Sequence, residues 1–146
     1  MMNTMLAEKN RTLVLDAFNT LFNERNYEKA AMYWSPNYIQ HSAYISAGRD
    51  GLFDLTKGLP STARYENAVA VAQGDYVILH GRFSDTGLPR SWVVADIVLM
   101  KDGLLIEHWD VIQDEATKSE SKSGRPMFGS SFAPETATAE AEKSTK

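Results

Sequence analysis

The 146 residues, 43% hydrophobic and 10% aromatic, suffice for one domain with a real core and room for a cavity. A formal net charge of -4 without any Lys/Arg-rich stretch leaves no basic stripe for a nucleic-acid backbone. The absence of cysteine removes disulfides, thiolate metal sites and cysteine nucleophiles together.

Met1 to Arg11 carry Asn3, Glu8, Lys9 and Asn10 where a signal peptide would be apolar, and no apolar run reaches spanning length. A cytoplasmic protein with neither a nucleic-acid nor a membrane partner is therefore expected. From Leu6 to Phe22, Leu13, Val14, Ala17, Phe18, Leu21 and Phe22 recur at helical spacing and predict an amphipathic helix. Tyr27, Ala30, Ala31 and Trp34 form a second, shorter helical stripe that Pro36 should close, because its ring cannot continue a helix. Tyr38 to His41 reads as a short strand. Arg49 to Lys57, ended by Gly58 and Pro60, predicts a third helix.

The period then changes. Tyr65–Gln73, Tyr76–Ser84, Trp92–Met100 and Leu104–Gln113 are β-rich runs separated by turn residues, which predicts an antiparallel meander. The expected class is α+β, with three N-terminal helices packed on a strongly curved antiparallel sheet around a central pocket. Residues 1–129 should form this one domain. From Ser130 onward, a Thr/Ala/Glu/Lys-rich tail has little to bury and is expected to be disordered. The strand Trp92–Met100 is apolar on both faces, so its second face needs a cover. A homodimer packed sheet to sheet is the expected solution.

Asp96 interrupts that apolar run, where an unpaired carboxylate costs several kcal/mol, roughly, or protonates. A structural reading has a backbone amide or an arginine such as Arg82 satisfying it. The following hairpin decides which other partners it can have, and two registers are open. A two-residue turn at Asp102-Gly103 would set Asp96 opposite Trp109 and away from Asp110. A three-residue loop, Lys101-Asp102-Gly103, would set it opposite His108 and on one face with Asp110, Val94, Val98 and Ile106. The second is favoured, because a polar trio in apolar surroundings is how a carboxylate acquires a raised pKa useful for acid/base work.

His41 and Gln40 are candidate pocket residues of which alternation allows only one to point inward. Tyr38, Trp34, Trp92 and Trp109 could supply ring surface to a flat apolar ligand, although most such residues are core. His108 and Asp110, two apart on a strand, could also ligate a metal, but the ligand count is too low to expect one. Glycine-rich phosphate loops and nucleophile elbows are absent from the sequence.

Asn37-Tyr38-Ile39-Gln40-His41, Gly48-Arg49-Asp50-Gly51-Leu52, Ala95-Asp96-Ile97, Met127-Phe128-Gly129 and above all Asp102-Gly103-Leu104-Leu105-Ile106-Glu107-His108-Trp109-Asp110-Val111-Ile112-Gln113 resemble the SnoaL-like polyketide cyclases. That group belongs to the nuclear transport factor 2-like superfamily with ketosteroid isomerases and limonene epoxide hydrolases. The resemblance spans Leu6 to Gly129. It implies a cone-shaped α+β fold, a deep apolar pocket, commonly a dimer, and a cofactor-free intramolecular aldol condensation. It also implies Asp110 as the acid/base aspartate and Asp96 as its partner on the preceding strand, in keeping with the three-residue register. Where close family members continue Gln-His with Asn-Pro, this chain has Ser42-Ala43.

Two classes of function follow. One is a lyase- or isomerase-type enzyme without cofactor, using Asp110, Asp96 and His108 on a small or polycyclic carbonyl compound. The other is a non-catalytic small-molecule binder or dimeric scaffold of the same fold.

Overall fold

The computed structural model describes residues 2–134. Helix α1 (Met2–Phe18) runs into a π-helical turn at Asn19–Asn23, followed by the short α2 (Tyr27–Ala30), strand β1 (Trp34–Gln40) and helix α3 (Gly48–Gly58). Strands β2 (Arg64–Gln73), β3 (Tyr76–Ser84), β4 (Trp92–Lys101) and β5 (Leu104–Asp114) complete one sheet in the order β1-β5-β4-β3-β2. The meander is antiparallel throughout, and β1 joins its far edge parallel to β5.

The helices lie over the inner sheet face. Val14, Ala17, Phe18, Leu21 and Phe22 of the first helix and its π turn are buried against β2 and β3 residues such as Tyr65, Val77, Leu79 and Phe83. Each large apolar side chain so buried contributes roughly 1.5–3 kcal/mol. Gly81 is required on this face, because a Cβ there would lie 2.3 Å from the Tyr65 ring. Asn23 docks the π turn onto the sheet: its side chain accepts from the Tyr65 N–H and donates to the Tyr65 carbonyl, at 2.8 and 3.0 Å.

The second helical stripe is shorter than expected. It ends at Ala30, and Trp34 opens β1, with Pro36 inside the strand rather than terminating a helix. Pro36 is tolerated because β1 is an edge strand whose register with β5 is broken between Trp34 and Ile39.

The final hairpin also differs from the favoured expectation. Asp102 and Gly103 both have positive φ, 52° and 78°, and Lys101 pairs with Leu104, which defines a two-residue type I′ turn. The odd residue is absorbed further along, where Leu99 pairs with Glu107 but Met100 pairs with Leu105. Ile106 is thus a bulge that shifts every later pairing by one. Asp96 consequently lies opposite Asp110, not His108 or Trp109, and all three polar residues still share the inner face. Leu105, rather than Ile106, occupies that face as a buried residue.

Beyond β5 the chain crosses the outer sheet face. Arg82, on that face, makes a buried bidentate pair with Glu115 at 2.7 and 3.0 Å and donates to the Ser131 carbonyl. The Phe128 ring lies 4.5 Å from its guanidinium. Arg82 is therefore no partner for Asp96. The Ala133 N–H donates to Glu115, so Ser131 and Ala133 are held within the stretch expected to be disordered. The rest of that stretch, 135–146, lies outside the described residues. No described helix is long and apolar enough to cross a membrane.

Candidate active site

Between the helices and the inner sheet face lies a cavity of about 750 Å³. One wall is aromatic. Trp34, Phe18, Phe22, Phe83 and Trp92 follow one another with ring centroids 6.1, 5.4, 4.8 and 6.4 Å apart. Strands β4 and β5 supply a polar patch with Asp96, His108 and Asp110, and Tyr38 of β1 stands beside them.

Asp96 is 3% exposed and His108 5%. Asp96 Oδ1 lies 2.7 Å from His108 Nε2, and His108 Nδ1 lies 2.7 Å from Gln40 Oε1. The Ser42 backbone N–H, which can only donate, also reaches Gln40 Oε1 at 3.0 Å. That contact identifies the oxygen end of the Gln40 amide. His108 Nδ1 must then carry a proton, leaving a single proton in the bond between Nε2 and Asp96. Two forms satisfy this arrangement: a carboxylic acid donating to a neutral imidazole, or a carboxylate accepting from an imidazolium.

Burial pushes the Asp96 carboxyl above its usual range, and the Asp110 carboxylate across the ladder adds to the rise; the hydrogen bond and charge of His108 oppose both. The direction favours the protonated acid. Asp96 Oδ2 is buried without a hydrogen-bond partner among the described residues. Gln40 Nε2 donates to the Tyr38 hydroxyl at 3.1 Å, so the phenol receives a bond and keeps its own hydrogen for another acceptor. Burial, and then the nearby Asp96 charge, hold that phenol well above its ordinary ionisation range.

Among the expected site residues, Asp96, His108, Asp110, Tyr38, Trp34 and Trp92 line the cavity, and Gln40 supports it from behind His108. His41 and Trp109 are corrections. They stack on each other on the outer face, 4.8 Å between centroids at 3°, with His41 Nε2 2.6 Å from Glu107. Alternation places them there, since Gln40 and His108 take the inner positions. Phe18, Phe22, Phe83 and Asp114 are among the further residues that line the cavity. Asp114 was within reach of the alternation argument, four residues beyond Asp110 on one strand. The phenylalanines gave only a core signal.

One ligand atom each from Asp96, His108 and Asp110 falls within 4.8 Å of the others, close enough to share a cation. Both His108 nitrogens are engaged, however, so a metal would have to displace the Asp96 bond.

A family model, the SnoaL-like domain, matches residues 15–108. The chain belongs to the SnoaL-like family. The match includes Asp96 and His108 and ends two residues before Asp110. Comparison with curated proteins found no match. Among solved structures, a candidate ketosteroid isomerase from Kribbella flavida aligns with TM-score 0.65 at 18% identity, covering 76% of this chain and 82% of that one. AclR, a candidate hydroxylase from Streptomyces galilaeus, gives 0.60 at 22%, covering 74% and 81%. A candidate polyketide cyclase from Acidithiobacillus ferrooxidans gives 0.61 at 18%, covering 72% and 88%. At these identities the likeness establishes the fold, which this SnoaL-like chain shares with ketosteroid isomerase-like proteins.

Proposed function

We propose that this SnoaL-like protein is a cofactor-free acid/base enzyme acting on a carbonyl compound through an enolate. The observation that carries the reading is the pair of facing carboxylates, Asp96 and Asp110, in an aromatic-walled cavity, with Asp96 held toward its protonated form. Asp110 takes the proton from the carbon next to the carbonyl, and the electron pair moves onto the carbonyl oxygen. The Tyr38 O–H donates to that oxygen as its charge develops. Asp96 is the second donor once a substrate oxygen competes with His108 Nε2 for its proton. The enolate carbon then either attacks a second carbonyl, whose π electrons become an alkoxide that takes the proton back from Asp110 in an aldol cyclisation, or itself regains that proton from Asp110 at a new position.

With a panel of cyclisable diketones and β,γ-unsaturated ketones, Asp110→Asn should lower kcat by at least about 100-fold, the usual contribution of a positioned base. Full turnover by that variant on any converted substrate would overturn the assignment. Ligand-induced stabilisation with no turnover across the panel would favour a binding protein instead.

A homodimer through the outer sheet face is part of the proposal. Rows Val71–Ile78–Ile97–Trp109 and Val69–His80–Ala95–Val111 cross that face, with Val69, Val71, Ile78 and Val111 all exposed. Sedimentation should find a dimer that Val111→Glu with Ile78→Glu dissociates, whereas a monomeric wild-type chain would refute it.

A further inference from the structure

The charges facing the cavity are one-sided, carried by Asp110 and Asp114 with Asp96 held toward its neutral form beside them. Asp96, Asp110 and, at its rim, Asp114 line it, and no lysine or arginine is among its lining residues. An anionic ligand would meet repulsion without any compensating cation, whereas a cation would be attracted to carboxylates and to the ring faces of the aromatic wall. Asp96 Oδ2 adds a second, independent demand. It is a buried acceptor with no donor, because the one shared proton of the Asp96–His108 pair is spent on Oδ1. No described protein atom donates to it, so a ligand N–H or O–H would satisfy it, and only the N–H of a cation also answers the negative charge beside it.

We propose that the ligand is an aromatic or polycyclic amine, bound in its protonated form with the ammonium between Asp96 Oδ2 and Asp110. An inorganic cation is the weaker occupant, since both His108 nitrogens are already hydrogen-bonded and a bare ion would leave the aromatic-walled volume unfilled. The inference builds on the enolate reading of this site: an ammonium group a few bonds from the carbonyl would sit at Asp96 while the adjacent C–H meets Asp110. Such a substituent also acidifies that C–H, which lightens the work of the base.

Trp34 and Trp92 line the cavity, so intrinsic fluorescence reports binding directly. The probes are 2-aminotetralin, the neutral 2-tetralol and tetralin-2-carboxylate, three bicycles of one shape and different charge. Zn²⁺ and Mg²⁺ chlorides alone form the inorganic arm. The amine should bind the full chain at least roughly tenfold tighter than the alcohol, and the carboxylate weakest of the three. Asp110→Asn, which removes the charge, and Asp96→Leu, which removes the Oδ2 acceptor, should each lower the ratio of amine to alcohol affinity, and cooperative urea unfolding of each variant reports that it is folded. Equal affinity for amine and alcohol in the wild-type protein overturns the proposal, as does an advantage that survives both substitutions. Metal binding that excludes the amine overturns it in favour of an ion site. Loss of turnover in Asp110→Asn without any amine preference would sink this inference and spare the acid/base reading. Amine preference with undiminished turnover would do the reverse.

Discussion

Replacing Gln40 with leucine tests the proton arrangement at the centre of the site without needing a substrate. Gln40 Oε1 is the acceptor for two donors, the Ser42 N–H and His108 Nδ1–H, and both residues are buried. Leucine keeps the volume and removes the acceptor. A buried donor left without a partner costs about 1–3 kcal/mol, so two give roughly 2–6 kcal/mol. The lower end is expected, because the imidazole has an escape: Nδ1 loses its proton to solvent while the proton shared with Asp96 settles on Nε2, leaving a neutral imidazole that donates to an Asp96 carboxylate. Urea unfolding followed by tryptophan fluorescence measures the stability, and long-range ¹⁵N–¹H correlation spectra of His108 report which nitrogen is protonated. The wild-type protein should show a protonated Nδ1 and Gln40→Leu a proton on Nε2 only, whereas Gln40→Glu, which retains an acceptor, should keep Nδ1 protonated. A wild-type spectrum with a bare Nδ1, or a leucine variant within about 0.5 kcal/mol of wild type, would refute the reasoning from the Ser42 amide.

Asp96 should make stability depend on pH. In the unfolded chain it ionises near 3.8, whereas burial keeps it protonated to higher pH in the fold. The native state therefore binds more protons in that window, and stability falls as pH rises from about 4 through the folded-state value. Asp96→Asn should flatten this decline in urea midpoints, and an unchanged slope would count against a raised Asp96. Elsewhere on the sheet, Glu115→Gln leaves the buried Arg82 guanidinium with only the half-exposed Glu66 carboxylate, 3.9 Å away, and should cost up to about 3 kcal/mol. The same variant should speed hydrogen exchange at the Ala133 amide, which Glu115 now accepts from. Unchanged exchange there would show that the C-terminal strap is held by Phe128 packing instead.

Much of the architecture was legible along the chain. Helical spacing in Val14, Ala17, Phe18, Leu21 and Phe22 announced the first helix, and the turn residues at Gly74-Asp75 and Asp102-Gly103 announced the meander. These are local signals, carried by residues near one another in sequence. Asp96 also declared itself, because a carboxylate within an apolar run has few inexpensive explanations.

Other features depended on neighbours distant in sequence. The α2 stripe lost Trp34 to β1 because pairing with Leu105 of β5 outweighs four residues of weak helical preference. The shared face of Asp96, His108 and Asp110 was expected from a three-residue loop and came instead from a type I′ turn followed by the Ile106 bulge. Alternation counts parity along each strand, so one extra residue has the same effect on the faces whether it lies in the turn or in the ladder. Only the pairing itself distinguishes the two, and it decided that Asp110, rather than His108, stands opposite Asp96. The sequence by itself determined that a buried carboxylate needed a partner; the tertiary structure decided its identity. Gln40, 68 residues before His108, sets which nitrogen of the imidazole meets Asp96, and that orientation exists only because β1 returns to lie beside β5.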